Sequence, residues 1–151
     1  EALRTEIDAV NERIYHNVNN GVYRAGFATS QAAYDDAVYP LFETLDWLEG
    51  RLATTRYLLG ENLTEADWRL FPTLLRFDLA YYGNFKCNLR RIQDYPNLWG
   101  YTRELYQVPG IAETIDLQRM KAGYYTIAAV NHTQIVPAGP VIDFMAPHGR
   151  G

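Results

Sequence analysis

One short segment constrains the fold more than any other: a helix start of unusual completeness at Leu63-Thr64-Glu65-Ala66-Asp67-Trp68. Thr64 is a favourable N-cap, and the carboxylate of Asp67, three residues later, can reach back to the amide of Thr64. The helix that follows is predicted to run to about Ala80. It is apolar on most sides, which places it at the centre of the core. A capping role explains Asp67 fully, so we expect a structural carboxylate rather than a catalytic one.

Apolar residues recur every three or four positions from Leu3 to Val18, which predicts one face of an amphipathic helix. The cluster Asn19-Asn20-Gly21 is predicted to end this helix. Residues 22–28 are then interpreted as a short tract, and Tyr23 is placed in a tight turn between Gly21 and Gly26.

Thr29 or Ser30 is predicted to cap a long helix that reaches about Ala53, with a kink at Pro40. A further helix is expected from Asp94-Tyr95-Pro96-Asn97 to about Gln107.

Pro109-Gly110 is predicted to begin another helix, with the proline near its first position, through Thr114 or on to Tyr125. From Asn131 to Gly151, three prolines and three glycines indicate an extended tail over the surface. No alternation typical of strands occurs, so the predicted class is all-α.

Composition excludes several kinds of function. The 151 residues carry a net charge of −4, which argues against nucleic-acid binding, and no apolar run is long enough for a membrane helix. There is no signal-peptide pattern and only one cysteine, so a cytoplasmic location is expected. Because the chain starts without methionine, in the style of a helix interior, we expect a segment of a longer protein.

The histidines and the cysteine of the chain give little support for a metal site or a nucleophile. The three histidines are too scattered to give two ligands on one face, so no metal site is predicted (His16, His132, His148). Cys87 lies beside cations that could favour a thiolate, although a lone cysteine next to the core is more often inert. The basic cluster of Lys86, Arg90 and Arg91 is interpreted as a solvated face or an anchor for a neighbouring carboxylate.

Tyrosine remains, with twelve copies in the chain. Tyr23, Tyr81 and Tyr124 all lie at the ends of predicted elements, where side chains can converge on one cleft. A phenol can hydrogen-bond a thiolate or pass a proton to a phenolic substrate. The alternative is that the three rings simply fill an aromatic packing layer.

The string Leu58-x-Gly60-x-x-Leu63-Thr64-x-Ala66-Asp67 resembles the signature of the glutathione transferase C-terminal helical domain. Further blocks resemble the glutathionyl-hydroquinone reductases, the xi-class transferases. They are spread over nearly the whole chain, in family order: Asn19 to Ala28, Arg76-Phe77-Asp78, Phe85-Lys86-Cys87, Tyr106 to Thr114 and Pro147-His148-Gly149-Arg150.

The resemblance implies a helical bundle with an extended C-terminal tail over residues 1–151. It also implies a preceding thioredoxin-like domain, absent from this chain, that binds glutathione and holds a nucleophilic cysteine. In the family, that thiolate attacks the sulfur of a glutathionyl-hydroquinone, a small aromatic glutathione conjugate. Hydroquinone leaves, and a second glutathione resolves the mixed disulfide. On its own, the present segment is expected to be inactive.

By the same resemblance, Tyr23 matches the tyrosine that exchanges the substrate proton. Tyr81 and Tyr124 match tyrosines that lower the pKa of the missing cysteine, and Cys87 matches a position that is not the nucleophile. The resemblance also implies a homodimer formed through the helical domain. Two alternatives stay open at this point: an omega-type transferase or dehydroascorbate reductase, and a non-catalytic assembly module of the same fold.

Overall fold

The computed structural model describes residues 2–151, with side chains from Arg4 onward, so Leu3 of the predicted apolar face lies outside the described side chains. Its α-helices are α1 (Ala2–Ile14), α2 (Gly21–Gly26), α3 (Gln31–Leu52), α4 (Glu65–Arg76), α5 (Pro96–Tyr106) and α6 (Leu117–Tyr125). Within residues 2–151 there is no β-strand, and the predicted all-α class is confirmed. None of these helices has the length and apolar character needed to cross a membrane.

The predicted break after the first helix is wrong. A π-helical turn, Tyr15–Asn19, carries α1 into α2, so Tyr23 lies within a helix rather than in a tight turn. The amide of Asn19 donates to the Arg69 carbonyl (3.1 Å) and to the Thr73 hydroxyl (2.7 Å), both in α4. Because that side chain bonds a neighbouring helix instead of its own backbone, it does not act as a helix breaker here.

The long helix is confirmed. Ser30 caps α3, since its hydroxyl accepts a hydrogen bond from the amide of Ala33 at 3.2 Å. The helix passes through Pro40 and ends at Leu52, one residue before the predicted end. Its inward side is fully buried and forms much of the core: Ala37, Val38, Leu41, Leu45, Leu48 and Leu52.

The capping box of α4 is confirmed, and Asp67 is fully buried. Its carboxylate accepts from the Thr64 amide (2.7 Å) and hydroxyl (2.9 Å), from the Leu58 amide (2.9 Å) and from the Tyr101 hydroxyl (2.8 Å). One side chain therefore fastens the preceding loop, α4 and α5 together. Beyond Arg76 the helix widens into a second π-helical segment, Phe77–Tyr81, which ends at one of the singled-out tyrosines.

The start predicted at Pro109 is wrong, whereas the helix predicted from Asp94 to Gln107 is confirmed as α5. Gly110 has φ +88, a left-handed conformation that an α-helix does not accept, so residues around it form a turn. The last helix begins only at Leu117, after Asp116, whose carboxylate accepts from the Arg119 amide at 2.9 Å.

The segment from Asn131 to the end has no regular secondary structure, as predicted, but it is anchored at two points. The buried ring of Phe144 stacks on Tyr106 with centroids 5.1 Å apart. Arg150 donates to the buried carboxylate of Glu104 at 3.1 Å. Both anchors hold the tail against α5.

Candidate active site

The hydroxyls of Tyr23, Tyr81 and Tyr124 meet in a triangle. Tyr23 and Tyr124 are 2.7 Å apart at their oxygens, Tyr81 and Tyr124 are 2.8 Å apart, and Tyr23 and Tyr81 are 3.2 Å apart. The three residues come from α2, from the end of the π-helical segment 77–81 and from α6. The structure thus brings together three side chains that are up to 101 positions apart in sequence.

The ring of Phe85 packs against the rings of all three tyrosines. Its centroid lies 5.5 Å from that of Tyr23, 5.3 Å from that of Tyr81 and 5.8 Å from that of Tyr124, and its side chain is fully buried. Edge-to-face and stacked arrangements at these distances are the favourable ones for aromatic pairs. The tyrosine ring planes are consequently fixed by packing as well as by hydrogen bonds.

Gly26, at the end of α2, allows this arrangement. A Cβ at position 26 would overlap the ring of Phe85, which is fully buried and held by its neighbours. We expect Gly26→Ala to lower the free energy of unfolding by about 1–3 kcal/mol, because the added methyl group overpacks the ring cluster. Chemical denaturation of the two proteins measures this difference.

Gly50 provides the matched control for that substitution. It also lies near the end of a helix, but a Cβ there would meet open space. Gly50→Ala should leave stability unchanged or raise it by roughly 0.5–1 kcal/mol, because alanine restricts the unfolded chain and favours helix. Equal effects at both positions would contradict the steric role of Gly26.

Burial sets the protonation of the two inner tyrosines. Desolvation raises the pKa of Tyr81 far above its usual value, and hydrogen bonds with the other two hydroxyls raise it further. The pKa of Tyr124 is also raised, first by burial and then by its bond with Tyr23. Both side chains are therefore neutral phenols at physiological pH, and a neutral phenol can donate a hydrogen bond to an anion.

The triangle can release one proton outward. Three hydroxyls hold three protons, and the longest edge, between Tyr23 and Tyr81 at 3.2 Å, is the weakest of the three. If Tyr81 donates to Tyr124 and Tyr124 donates to Tyr23, the proton of Tyr23 is free. Tyr23 is 38% exposed and Tyr81 only 2%, so the free donor is the one that faces an incoming molecule.

An open cavity of about 540 Å³ adjoins the cluster, with Tyr124 in its wall. Its lining is mixed, with apolar side chains from α4 and α6 and two guanidinium groups, Arg76 and Arg119. A volume of this size falls in the range of small-molecule sites. The donor set of neutral hydroxyls beside it fits a thiolate or the oxygen of a phenol, and so fits the sulfur end of glutathione or of an aromatic conjugate.

The structure agrees with the inert reading of Cys87 rather than with a thiolate favoured by nearby cations. Cys87 is completely buried, and desolvation raises its pKa to about 12, with Lys86 opposing this only weakly. At neutral pH the side chain is a protonated thiol with no access to solvent, which leaves it inert as a nucleophile.

Two of the three cations in the basic cluster, Arg90 and Arg91, anchor neighbouring carboxylates. Arg90 pairs with Asp46 at 2.9 Å and Arg91 with Asp94 at 2.6 Å, both near the surface. Within residues 2–151, no three His, Cys, Asp or Glu side chains gather in a way that could hold a metal ion.

Sequence reasoning missed the residues that hold the tyrosines in place. Phe85 carries no polar group and stands out in the sequence only as part of Phe85-Lys86-Cys87, a block that resembles the xi class. Asn84 is buried, and its amide donates to the Tyr124 carbonyl at 3.0 Å. No local pattern identifies either of them, because Tyr124, which both of them contact, lies far from them in the sequence.

Comparison with known proteins identifies the family. The model of the glutathione S-transferase C-terminal domain matches residues 31–104. Glutathionyl-hydroquinone reductase PcpF of Sphingobium chlorophenolicum is 58% identical over 139 residues, which cover 91% of this chain and 44% of PcpF. The chain belongs to the glutathione transferase family.

Solved structures agree with the sequence comparison. The glutathione-bound structure of YqjG from Escherichia coli K-12 superposes with a TM-score of 0.96 at 53% identity, over 99% of this chain and 49% of that one. A xi-class transferase from Natrialba magadii gives a TM-score of 0.95 at 48% identity, over 99% and 47%. The expected resemblance to the xi class is confirmed.

The chain spans about half the length of the curated relatives that it matches. PcpF and glutathionyl-hydroquinone reductase YqjG are covered over 44% and 46% of their lengths. The family model covers residues 31–104, which include Tyr81, whereas Tyr23 and Tyr124 lie on either side of that range.

Proposed function

We propose that this chain is the helical half of a glutathione-dependent reductase that converts glutathionyl-hydroquinones into hydroquinones. The observation that carries the proposal is the hydroxyl triangle of Tyr23, Tyr81 and Tyr124, open on the side of Tyr23. An assembly module of the same fold has no use for three converging phenols. Relatives named as reductases of this kind, at 58% and 53% identity, support the same reading.

The proposal includes a thioredoxin-like domain, outside this chain, that contributes a cysteine thiolate and most of the glutathione site. Attack of that thiolate on the conjugate sulfur forms a disulfide and breaks the bond between sulfur and the aromatic ring. The ring carbon keeps the electron pair and takes up a proton, which gives the hydroquinone. A second glutathione thiolate then forms glutathione disulfide and restores the cysteine.

Within this scheme the tyrosines of the chain have two tasks. Tyr81 and Tyr124, both neutral, redirect their hydroxyl protons from the triangle to the thiolate when it is in place, and these hydrogen bonds stabilise it and lower its pKa. Tyr23 faces outward and exchanges the proton with the substrate, and it is reprotonated through Tyr124 at 2.7 Å. The aromatic part of the conjugate occupies the space beside the cluster.

Two further elements complete the proposal. The helical surface forms a homodimer, and the protein works in a reducing, cytoplasmic compartment, where glutathione is available and an unpaired thiolate persists. Both follow the family resemblance and the single, buried cysteine of this chain.

The test is an assay of the chain joined to its own preceding domain. With a synthetic glutathionyl-hydroquinone and glutathione, we expect hydroquinone and glutathione disulfide in equal amounts, both measured by chromatography. The chain alone should give no turnover, because its one cysteine is buried and protonated. Turnover by the chain alone would contradict the assignment of Cys87. A joined enzyme that reduces dehydroascorbate but not the conjugate would favour the omega-type alternative.

A further inference from the structure

The helix that carries Tyr124 packs against the core through three partly buried side chains, Leu117, Met120 and Tyr124. Among residues 117–125, all of which are described, Lys121 is buried and the other eight are half-buried or exposed. A helix of nine residues is also too short to be stable by itself. Its position, and with it the position of the Tyr124 hydroxyl, therefore depends on a small number of specific contacts.

Two of these contacts connect α6 to the chain segment just after Tyr81. The side-chain amide of Asn84 donates to the carbonyl of Tyr124 at 3.0 Å. Next to it, the hydroxyl of Tyr125 lies over Gly83, where a Cβ would overlap it. Asn84 is itself fixed, since its backbone amide donates to the carbonyl of Ala80 at 2.8 Å.

The bond from Asn84 is the second one at this carbonyl, which also accepts from the backbone amide of Ile127 at 3.2 Å. Tyr124 lies in the last turn of α6, where carbonyls have no donor four residues ahead within the helix. The same segment, 80–85, ends the π-helical turn that carries Tyr81. Asn84 thus links the backbone of Tyr124 to that of Ala80, the residue before Tyr81, and the hydroxyls of Tyr81 and Tyr124 are 2.8 Å apart.

We propose that Asn84 is a positioning residue that sets the distance between the Tyr81 and Tyr124 hydroxyls. The inference rests on the proposed function, in which those two phenols stabilise a thiolate. Asn84 makes no contact with the reacting atoms; it acts by keeping Tyr124 in place. A displacement of about 1 Å in a catalytic group can lower a rate by as much as a hundredfold.

The test uses the chain joined to its preceding domain and the variant Asn84→Ala. We expect kcat to fall by roughly tenfold or more, with a smaller change in KM. The pKa of the catalytic cysteine, measured from the pH dependence of its alkylation, should rise, because one hydrogen bond to the thiolate is weakened. If the alanine variant folds poorly, Asn84→Asp serves instead, since it keeps the shape and removes the donor.

Asn131 supplies a matched control. Its amide donates to the next carbonyl of the same helix, that of Tyr125, at 2.8 Å, but it belongs to the loop after α6 and does not reach the segment of Tyr81. Asn131→Ala should leave kcat within about twofold of the wild-type value. It should leave the pKa of the cysteine within a few tenths of a pH unit of the wild-type value. Equal losses for the two variants would mean that any loosening of α6 has the same effect, and would overturn the proposal.

A double-mutant cycle decides whether Asn84 acts through Tyr124. In a Tyr124→Phe background, Asn84→Ala should have little further effect on kcat. If the two residues acted independently, the double variant would lose kcat by the product of the two single fold-losses. Multiplicative losses would overturn the proposal.

A readout without turnover separates this inference from the proposed function. With tyrosines labelled at the ring carbon that bears the hydroxyl, the Tyr124 resonance should shift in Asn84→Ala and stay in place in Asn131→Ala. If the Tyr124 resonance shifts only in Asn84→Ala but the wild-type joined enzyme has no reductase activity, the reductase assignment alone is refuted. If the resonance does not shift in Asn84→Ala, the positioning role of Asn84 is refuted.

Discussion

Replacing Tyr23 by phenylalanine is expected to lower the turnover of the joined reductase by roughly 10²- to 10⁴-fold, the usual contribution of a positioned acid or base. The ring stays, so its edge contacts with Phe85 and Tyr81, at 5.5 and 5.7 Å between centroids, are kept. What is lost is the one hydroxyl of the triangle that faces outward. Tyr81 and Tyr124 remain bonded to each other at 2.8 Å and can still stabilise a thiolate.

The loss should appear in a specific step. Alkylation of the catalytic cysteine should keep nearly its wild-type pH dependence, while release of hydroquinone slows; stopped-flow measurement of a single turnover separates the two. Tyr39→Phe is the matched control, because Tyr39 is 55% exposed on α3 and lies outside the triangle. Unchanged turnover in Tyr23→Phe would rule out its role in proton transfer.

The parts of the fold that could be predicted are those with local causes. Ser30 caps α3 through an amide three residues away, and Asp67 bonds the amide of Thr64 at the same short separation. Such contacts are visible in sequence, because both partners lie within one turn of helix. The apolar spacing of α3 and α4 is equally local, so their bounds were predicted to within a few residues.

One of the two wrong predictions about the helices, the break at Asn19, involves conditions that no short window contains. Helical structure continues past Asn19 because its side-chain amide bonds acceptors in α4, 50 and 54 positions away. The apolar face of the first helix continues across the predicted break, with Val18 and Val22 both fully buried, and this burial outweighs the weak helix preference of asparagine and glycine. At Gly110, by contrast, the local conformation was decisive, and its positive φ ended any helix begun at Pro109.

The candidate site divides in the same way. Chemistry and placement at element ends were enough to single out three tyrosines among twelve, with the family resemblance as added support. Their supports, Phe85, Gly26 and Asn84, are recognisable only from contacts across the fold. For Cys87 the inert reading agrees with the structure, because complete burial raises the pKa of the thiol more than the nearby Lys86 lowers it.

The largest effect on stability is expected at Asp67. Asp67→Asn keeps the size of the side chain but leaves one carbonyl oxygen where two carboxylate oxygens accept four hydrogen bonds. At least two donors then face an amide NH₂ group in a fully buried place. With about 1–3 kcal/mol for each buried donor left unpaired, we expect the free energy of unfolding to fall by roughly 3 kcal/mol. For a chain of this length, the midpoint of thermal unfolding should fall by roughly 6–12 °C.

Asp94→Asn is the control that isolates burial. Asp94 also follows its cap by three residues, and its carboxylate accepts from the amide of Arg91 at 3.0 Å, but the side chain is near the surface. Water can satisfy whatever the substitution leaves unpaired, so its effect on the melting midpoint should be small. Thermal unfolding followed by circular dichroism compares the two variants directly. If both lowered the midpoint equally, local capping would explain Asp67 completely. A much larger drop at Asp67 would show that its bonds to Leu58 and Tyr101, which join the loop and α5 to α4, hold the centre of this domain together.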